Sequence, residues 1–184
     1  MKSVIIVAAT ALAALAAPAA LHAAEPPAAA AAPGPRAYPK LSHVAWIVPS
    51  LDQALANSAA QLGTGPANLV FRQVLTIDRG TYHGRPAHFS AEFALVELGN
   101  TQFEFIQPLS GVSPYSDALK GKRGAVLHHV AFAVPDIDAR VAAARRANPA
   151  ARVVLDAHIK EFGARYVYMS GVLPDTLVEF TPGG

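Results

Sequence analysis

A ten-residue segment occurs twice in this chain, and that duplication restricts the possible folds more than any other feature. His43-Val44-Ala45-Trp46-Ile47-Val48-Pro49-Ser50-Leu51-Asp52 returns as His129-Val130-Ala131-Phe132-Ala133-Val134-Pro135-Asp136-Ile137-Asp138, with six positions identical and three exchanging one apolar side chain for another. A second echo follows: Phe103-Glu104-Phe105-Ile106-Gln107-Pro108 answers to Val178-Glu179-Phe180-Thr181-Pro182. The order is the same in both halves, and the His-to-Glu separations are 61 and 50 residues. Two ordered echoes point to a tandem duplication.

Each copy carries the same local signals. A short apolar strand (42–48 and 127–134) runs into Pro-Ser or Pro-Asp followed by x-Asp, a helix start with a carboxylate near the positive end of the dipole. Helices are predicted over 51–62 and 137–148, the second closed by Asn148-Pro149. Strands follow at 68–77, 90–98 and 102–107, then at 152–157, 165–170 and 176–181. Gly99-Asn100 marks a hairpin between two of them. The plan is α+β: two βαβββ modules, over 41–112 and 126–184, joined by a connection at 110–125.

The duplicated part is not the whole of the 184 residues. Met1-Lys2, an apolar stretch from Val4 to Ala20 and the small residues up to Ala24 have the three-part form of a secretory signal. Pro18 and the weak hydropathy of alanine argue against a membrane anchor. Residues 1–24 are expected to be cleaved, with the cut between Ala19 and Ala24, so the mature protein is periplasmic or secreted. The Pro/Ala-rich stretch 25–40 has almost nothing to bury and reads as a disordered leader. The chain has no cysteine, which excludes disulfides, thiolate metal sites, a cysteine nucleophile and a lipidated cysteine. A formal charge of +2 with no basic run gives nucleic-acid binding no electrostatic support.

Strand periodicity then sorts the repeated residues. Val44, Trp46 and Val48 share one face, suited to packing on the helix. His43, Ala45 and Ile47 share the other, a histidine followed by small or medium side chains, as a cavity wall requires. Val130, Phe132 and Val134 face His129, Ala131 and Ala133 across the repeat strand in the same way. Glu104 and Glu179 each stand between apolar neighbours, where an uncompensated carboxylate is costly. A lone strand Glu or His reads as a solvent-facing or core residue. Two of each in equivalent contexts form an N/O set suited to a divalent Zn, Mn, Fe, Co or Ni ion.

From Leu41 to Pro182 these motifs make the chain resemble the vicinal oxygen chelate superfamily, which includes glyoxalase I, methylmalonyl-CoA epimerase, extradiol dioxygenases and bleomycin- or fosfomycin-resistance proteins. Thr64-Gly65-Pro66, Tyr82-His83-Gly84-Arg85-Pro86 and Phe103-Glu104-Phe105-Ile106-Gln107 are most similar to its glyoxalase-like and epimerase-like members. The resemblance implies a U-shaped, partly closed mixed sheet around one divalent metal, held by His43, Glu104, His129 and Glu179, with a homodimer common among members. It implies an isomerase, epimerase or lyase that acts on a small oxygenated substrate through a metal-stabilised enolate, with Glu179 or Glu104 as the base. A metal-free binding or resistance protein is the alternative, and an extradiol dioxygenase the less favoured one, because two carboxylates crowd its open positions. Export separates the substrate from cytoplasmic coenzyme A thioesters and glutathione adducts.

Several residues remain outside this set. His83 and Arg85, in the polar segment 78–86, are candidates for a mouth loop that contacts substrate, as is Arg165. Lys160 and His158 read as solvated, and Tyr166 and Tyr168 as packing residues. His128 is expected on the face opposite His129, in packing or in a hydrogen bond behind the ligands rather than in ligation, and residues 140–146 form a solvated helix face.

Overall fold

The structure, a computed structural model, describes residues 39–183; the expected signal and almost all of the leader lie outside the described residues. The first half contains β1 (Lys40–Ile47), α1 (Leu51–Leu62), β2 (Leu69–Ile77), β3 (Arg79–Tyr82), β4 (Arg85–Pro86), β5 (Phe89–Leu98) and β6 (Thr101–Ser110). After α2 (Pro114–Leu119), the second half contains β7 (Val126–Val134), α3 (Ile137–Ala147), β8 (Arg152–Ile159), β9 (Ala164–Leu173) and β10 (Thr176–Pro182). The caps form where the local chemistry demands. Ser50 and Asp136 accept hydrogen bonds from the backbone N–H groups of Gln53 and Ala139, and Gly63 closes α1 in the left-handed region. Gln107 Oε1 accepts from Leu51 N–H at 2.6 Å, tying the start of α1 to β6.

All ten strands join one sheet in the order β2-β5-β6-β1-β7-β10-β9-β8-β3-β4. β1 runs parallel to β6 and β7 parallel to β10, while β1 and β7 pair antiparallel at the centre. The two halves therefore repeat one pattern, and the sheet curls into a half-barrel. Its concave face gathers Ile47, Leu75, Ile77, Phe93 and Ile106 from the first half with Leu155, Ala157, Tyr166 and Tyr168 from the second. On the convex face α3 covers Val134, Val167, Met169, Val178 and Phe180, and α1 covers Val48 and Ala94. The alternation of β1 and β7 into helix-facing and cavity-facing residues produces this two-sided packing.

The structure departs from the sequence expectation in two segments. Residues 78–86, expected as a polar loop, form the β3–β4 hairpin, with His83 and Gly84 at positive φ in its two-residue turn. This hairpin leaves its own half and pairs with β8, the outer strand of the other. β2 and β3 are consecutive in the chain yet stand at opposite sides of the sheet order, so the crossing at Asp78 draws the two sides together. Gly80 permits the approach, since a Cβ there would lie 2.2 Å from the Asp156 carbonyl oxygen. The connection at 110–125 contains α2, started by a reciprocal Ser113–Ser116 capping box and by Pro114.

Candidate metal centre

Backbone register places the two duplicated motifs against each other. His43 stands opposite Ala131 and Ala45 opposite His129 across the β1–β7 pair, a reciprocal arrangement about Val44 and Val130. Glu104 on β6 pairs with Ala45, and Glu179 on β10 pairs with Ala131, each alanine lying two residues after its histidine. Four adjacent central strands thus each send one polar side chain inward, and the alanines leave room between them.

The side chains converge accordingly. His129 Nε2 lies 2.7 Å from Glu179 Oε2 and 3.2 Å from His43 Nε2. Glu104 Oε2 lies 3.5 Å from His43 Nε2 and 3.6 Å from His129 Nε2, and His43 Nε2 lies 3.4 Å from Glu179 Oε2. All four donor atoms fall within 4.8 Å of one another, and all four residues are buried. Nitrogen and oxygen donors about 2.1 Å from one ion stand roughly 3.0–3.4 Å apart when adjacent. The observed spacings run from 2.7 to 3.6 Å and bracket that range, so the residues fit a single divalent cation.

Without a cation, protons hold the cluster together. Burial opposes the His43 imidazolium, but the charge of Glu104, a hydrogen bond that His43 donates to Glu179 and the charge of Glu179 raise its pKa to about 9. Burial pushes the Glu104 carboxyl up, only partly countered by the two histidines. Burial pushes Glu179 up as well, yet the charge of His129, its short hydrogen bond and the contacts of His43 hold it well below the usual carboxylate range. The two carboxylates therefore differ: Glu179 is clamped and Glu104 is loosely held.

The outer ring nitrogens of both histidines have partners. His43 Nδ1 lies 3.2 Å from Ser42 Oγ, and His129 Nδ1 lies 2.8 Å from His128 Nδ1. The second contact corrects the placement of His128 on the opposite face. β7 has one extra residue between Ala45–His129 and Trp46–Leu127, and this bulge turns His128 inward. There its ring packs edge-on to Tyr115 and Tyr168. Burial, followed by the neighbouring His129 charge, lowers the His128 pKa to about 3, so its ring is neutral and can accept a hydrogen bond. A histidine that ligates through Nε2 carries its proton on Nδ1, and His128 is placed to receive it.

Beside the cluster is a cavity of about 50 Å³, walled by aromatic and aliphatic side chains together with Glu104 and Glu179. Tyr115, from α2, hydrogen-bonds to Tyr168 through their hydroxyls at 2.9 Å, and Tyr168 lies with its ring 4.7 Å from that of His129. Tyr115 gave no sequence signal beyond the Ser113-Pro114 helix start that positions it. Tyr166 and Tyr168, read as packing residues, both line this space.

The other candidates stand apart. Arg165 alternates with Tyr166 and so faces outward, bidentate to Asp156 at 2.8 Å and bonded to Asp138 at 2.9 Å. That engagement sets Arg165 apart from the four-residue cluster. His83 and Arg85 are exposed on the β3–β4 hairpin, with the His83 ring against Tyr82, and neither lines the cavity. Tyr82 donates to Asp117 at 2.8 Å and fastens that hairpin to α2.

Comparison with known proteins agrees with this architecture. The family model described as Glyoxalase/Bleomycin resistance protein/Dioxygenase superfamily matches residues 42–168. The mitochondrial methylmalonyl-CoA epimerase of Bos taurus is 31% identical over 102 residues, 55% of this chain and 50% of that protein. The ethylmalonyl-CoA/methylmalonyl-CoA epimerase of Cereibacter sphaeroides is 29% identical over 125 residues, covering 68% and 81%. The chain thus spans about half the length of the mammalian relatives it matches. The crystal structure of methylmalonyl-CoA epimerase from Mycobacterium tuberculosis superposes with a TM-score of 0.56 at 22% identity, covering 79% of this chain and 89% of that one. A variant of the Streptomyces coelicolor methylmalonyl-CoA epimerase, in complex with 2-nitronate-propionyl-CoA, gives 0.57 at 17% identity, with 79% and 95% covered. These structures share the fold.

Proposed function

The chain belongs to the Glyoxalase/Bleomycin resistance protein/Dioxygenase superfamily, and on that footing we propose that it is a metal-dependent epimerase or isomerase acting on a small oxygenated carbon acid. The observation that carries this reading is the convergence of His43, Glu104, His129 and Glu179 on one buried point. A divalent cation held by these four residues supplies Lewis acidity, which lowers the cost of negative charge on an oxygen beside the carbon that loses its proton. The chain supplies the rest. Ser42 and His128 hold the two imidazoles in position, and the aromatic walls keep bulk water from the reacting carbon. Glu104, buried and loosely held, is the base in this reading, and Glu179 is the fixed ligand. Return of the proton to the opposite face gives an epimer; return to the adjacent carbon gives an isomer. A glyoxalase-type lyase begins with the same proton removal and is the neighbouring chemistry.

Relatives named as methylmalonyl-CoA epimerases support this class of reaction. The proposed substrate shares with methylmalonyl-CoA an acidic C–H next to a carbonyl group. Two carboxylates at the centre favour proton transfer over the two-His, one-carboxylate arrangement of oxygen-activating sites, and a complete donor set favours it over metal-free ligand binding. The proposal includes export after cleavage within 19–24 and assembly as a homodimer, read out by intact mass and sedimentation of the protein expressed with its own N-terminus.

Elemental mass spectrometry of the untagged mature protein, beside His129→Ala, tests the centre. About one divalent ion per chain, lost in the variant, is expected. No bound metal in the wild type after reloading with Zn, Mn, Fe, Co and Ni would overturn the reading.

A further inference from the structure

Among the described residues that wall the cavity beside the metal centre, Phe162 is the exposed one, at 52%. Phe71 and Ile159 are half-buried, and the rest of the wall is buried. Phe162 stands on the four-residue turn 160–163 between β8 and β9, and every residue of that turn is exposed. Gly163 takes the left-handed region at φ +62°, and its N–H closes the turn on the Lys160 carbonyl at 3.3 Å. Across from Phe162 lies Phe71 of β2, its ring centroid 6.0 Å away and inclined at 66°. β2 ends the sheet order on one side, while β8 has β9 and β3 as its neighbours, so a ring contact rather than a ladder joins the two sides here.

The size of the cavity makes this part of the wall decisive. It measures about 50 Å³, against roughly 300 Å³ or more for sites that take a small-molecule ligand. A substrate therefore reaches Glu104 and Glu179 only if part of the wall withdraws. Leu75, Phe93, Tyr166 and Tyr168 stand on paired strands, and moving them breaks ladder hydrogen bonds. Tyr115 is tied to Tyr168 through their hydroxyls. Phe162 needs only its turn to swing. Its ring already gives half its surface to water, so the motion exposes little further apolar area.

We propose that Phe162 and Phe71 form an aromatic gate on the metal centre, which opens when the 160–163 turn swings out and selects ligands whose apolar side group can lie between the two rings. This rests on the metal-dependent reading and adds how a ligand reaches that centre. The closed gate keeps bulk water from the carboxylates between turnovers. Once open, it offers two ring faces to an entering apolar group, so the motion that admits a ligand also discriminates among ligands.

The test uses imidazole and phenylimidazole, single-donor metal ligands that differ by one apolar ring. Each is mixed in stopped flow with cobalt(II)-loaded wild type or Phe162→Ala and followed through the visible absorption of the cobalt, with metal content and melting temperature measured on both proteins. A probe that must wait for a motion cannot bind faster than that motion. In wild type the rates for both probes are therefore expected to level off with concentration at one shared ceiling, the rate of gate opening. Wild type is also expected to prefer phenylimidazole about tenfold, the gain from one added ring contact. In Phe162→Ala the ceiling should disappear and the preference should fall toward none, with metal retained and the melting temperature close to that of wild type. Equal rates and an equal preference in the two proteins overturn the proposal, as does failure of both to bind either probe. A marked fall in the melting temperature of Phe162→Ala also overturns it, because the ring would then be serving the fold. Each of these outcomes leaves the metal centre standing. A wild type that takes up no cobalt removes the functional reading itself, and the metal analysis alone distinguishes that result.

Discussion

Glu104 and Glu179 occupy equivalent places in the two repeats yet sit in unlike surroundings. Glu179 accepts a 2.7 Å hydrogen bond from His129, whereas the nearest histidine nitrogen to Glu104 Oε2 is 3.5 Å away. A carboxylate that must take a proton should have proton affinity to spare, and burial gives that to Glu104. Replacement by glutamine, which preserves shape, should therefore separate the two. Glu104→Gln is expected to retain metal and lose about 10²–10⁴-fold in solvent exchange of the substrate's acidic C–H, while Glu179→Gln loses metal affinity first. Exchange rates by NMR beside metal titrations check this, and equal metal loss in both variants would remove the distinction. The four convergent residues were legible because each repeats in register. His128 was not, because alternation along a strand carries no mark of a bulge, and the extra residue that reverses its direction is defined only by the partner strand. Tyr115 was hidden for a related reason, since an aromatic residue in a connection gives no hint of the strand it will lie against.

Among the elements, the strands and helices of the duplicated plan were readable from apolar periodicity and caps, with ends displaced by a few residues. The β3–β4 hairpin was not. Its residues are polar, it is short, and it is held by an unpaired edge in the other half, which local sequence cannot reveal. Gly80 is the element's critical point. Its φ of +143° is poorly accessible to side-chain-bearing residues, and an added Cβ would meet both the Asp156 carbonyl and the Ala157 Cα. Gly80→Ala is expected to cost about 2–4 kcal/mol and to loosen the crossing between the sheet's two sides. Gly84→Ala, at φ +74° with open space around it, is expected to cost about 1 kcal/mol. Urea denaturation of the two variants side by side checks the contrast. Equal costs would mean that strain alone matters and that the close approach to β8 does not.

In the whole molecule, each half supplies one His and one Glu to a point between them, so a bound cation cross-links the duplicated modules through β6, β1, β7 and β10. Anything that binds the folded chain and not the unfolded one adds RT ln(1 + [L]/Kd), about 4 kcal/mol at a thousandfold excess over Kd. Metal removal should therefore lower the melting temperature of both halves together, and His129→Ala should melt alike with and without metal. The pH dependence has a definite sign. The His43 pKa is raised from 6.5 to about 9, so in the metal-free protein its contribution is complete below pH 6.5 and lost as pH rises through 9. A cation has to displace that same proton, so its binding strengthens over the same interval. As the proton's contribution wanes, the metal's grows, and the gain in melting temperature on loading is expected to be larger at pH 8 than at pH 6. Calorimetric scans of metal-loaded and chelator-treated protein at the two pH values measure it. A gain that is equal or larger at pH 6 would show that His43 holds no displaceable proton and that the four donors are not held together by the balance of charges described above.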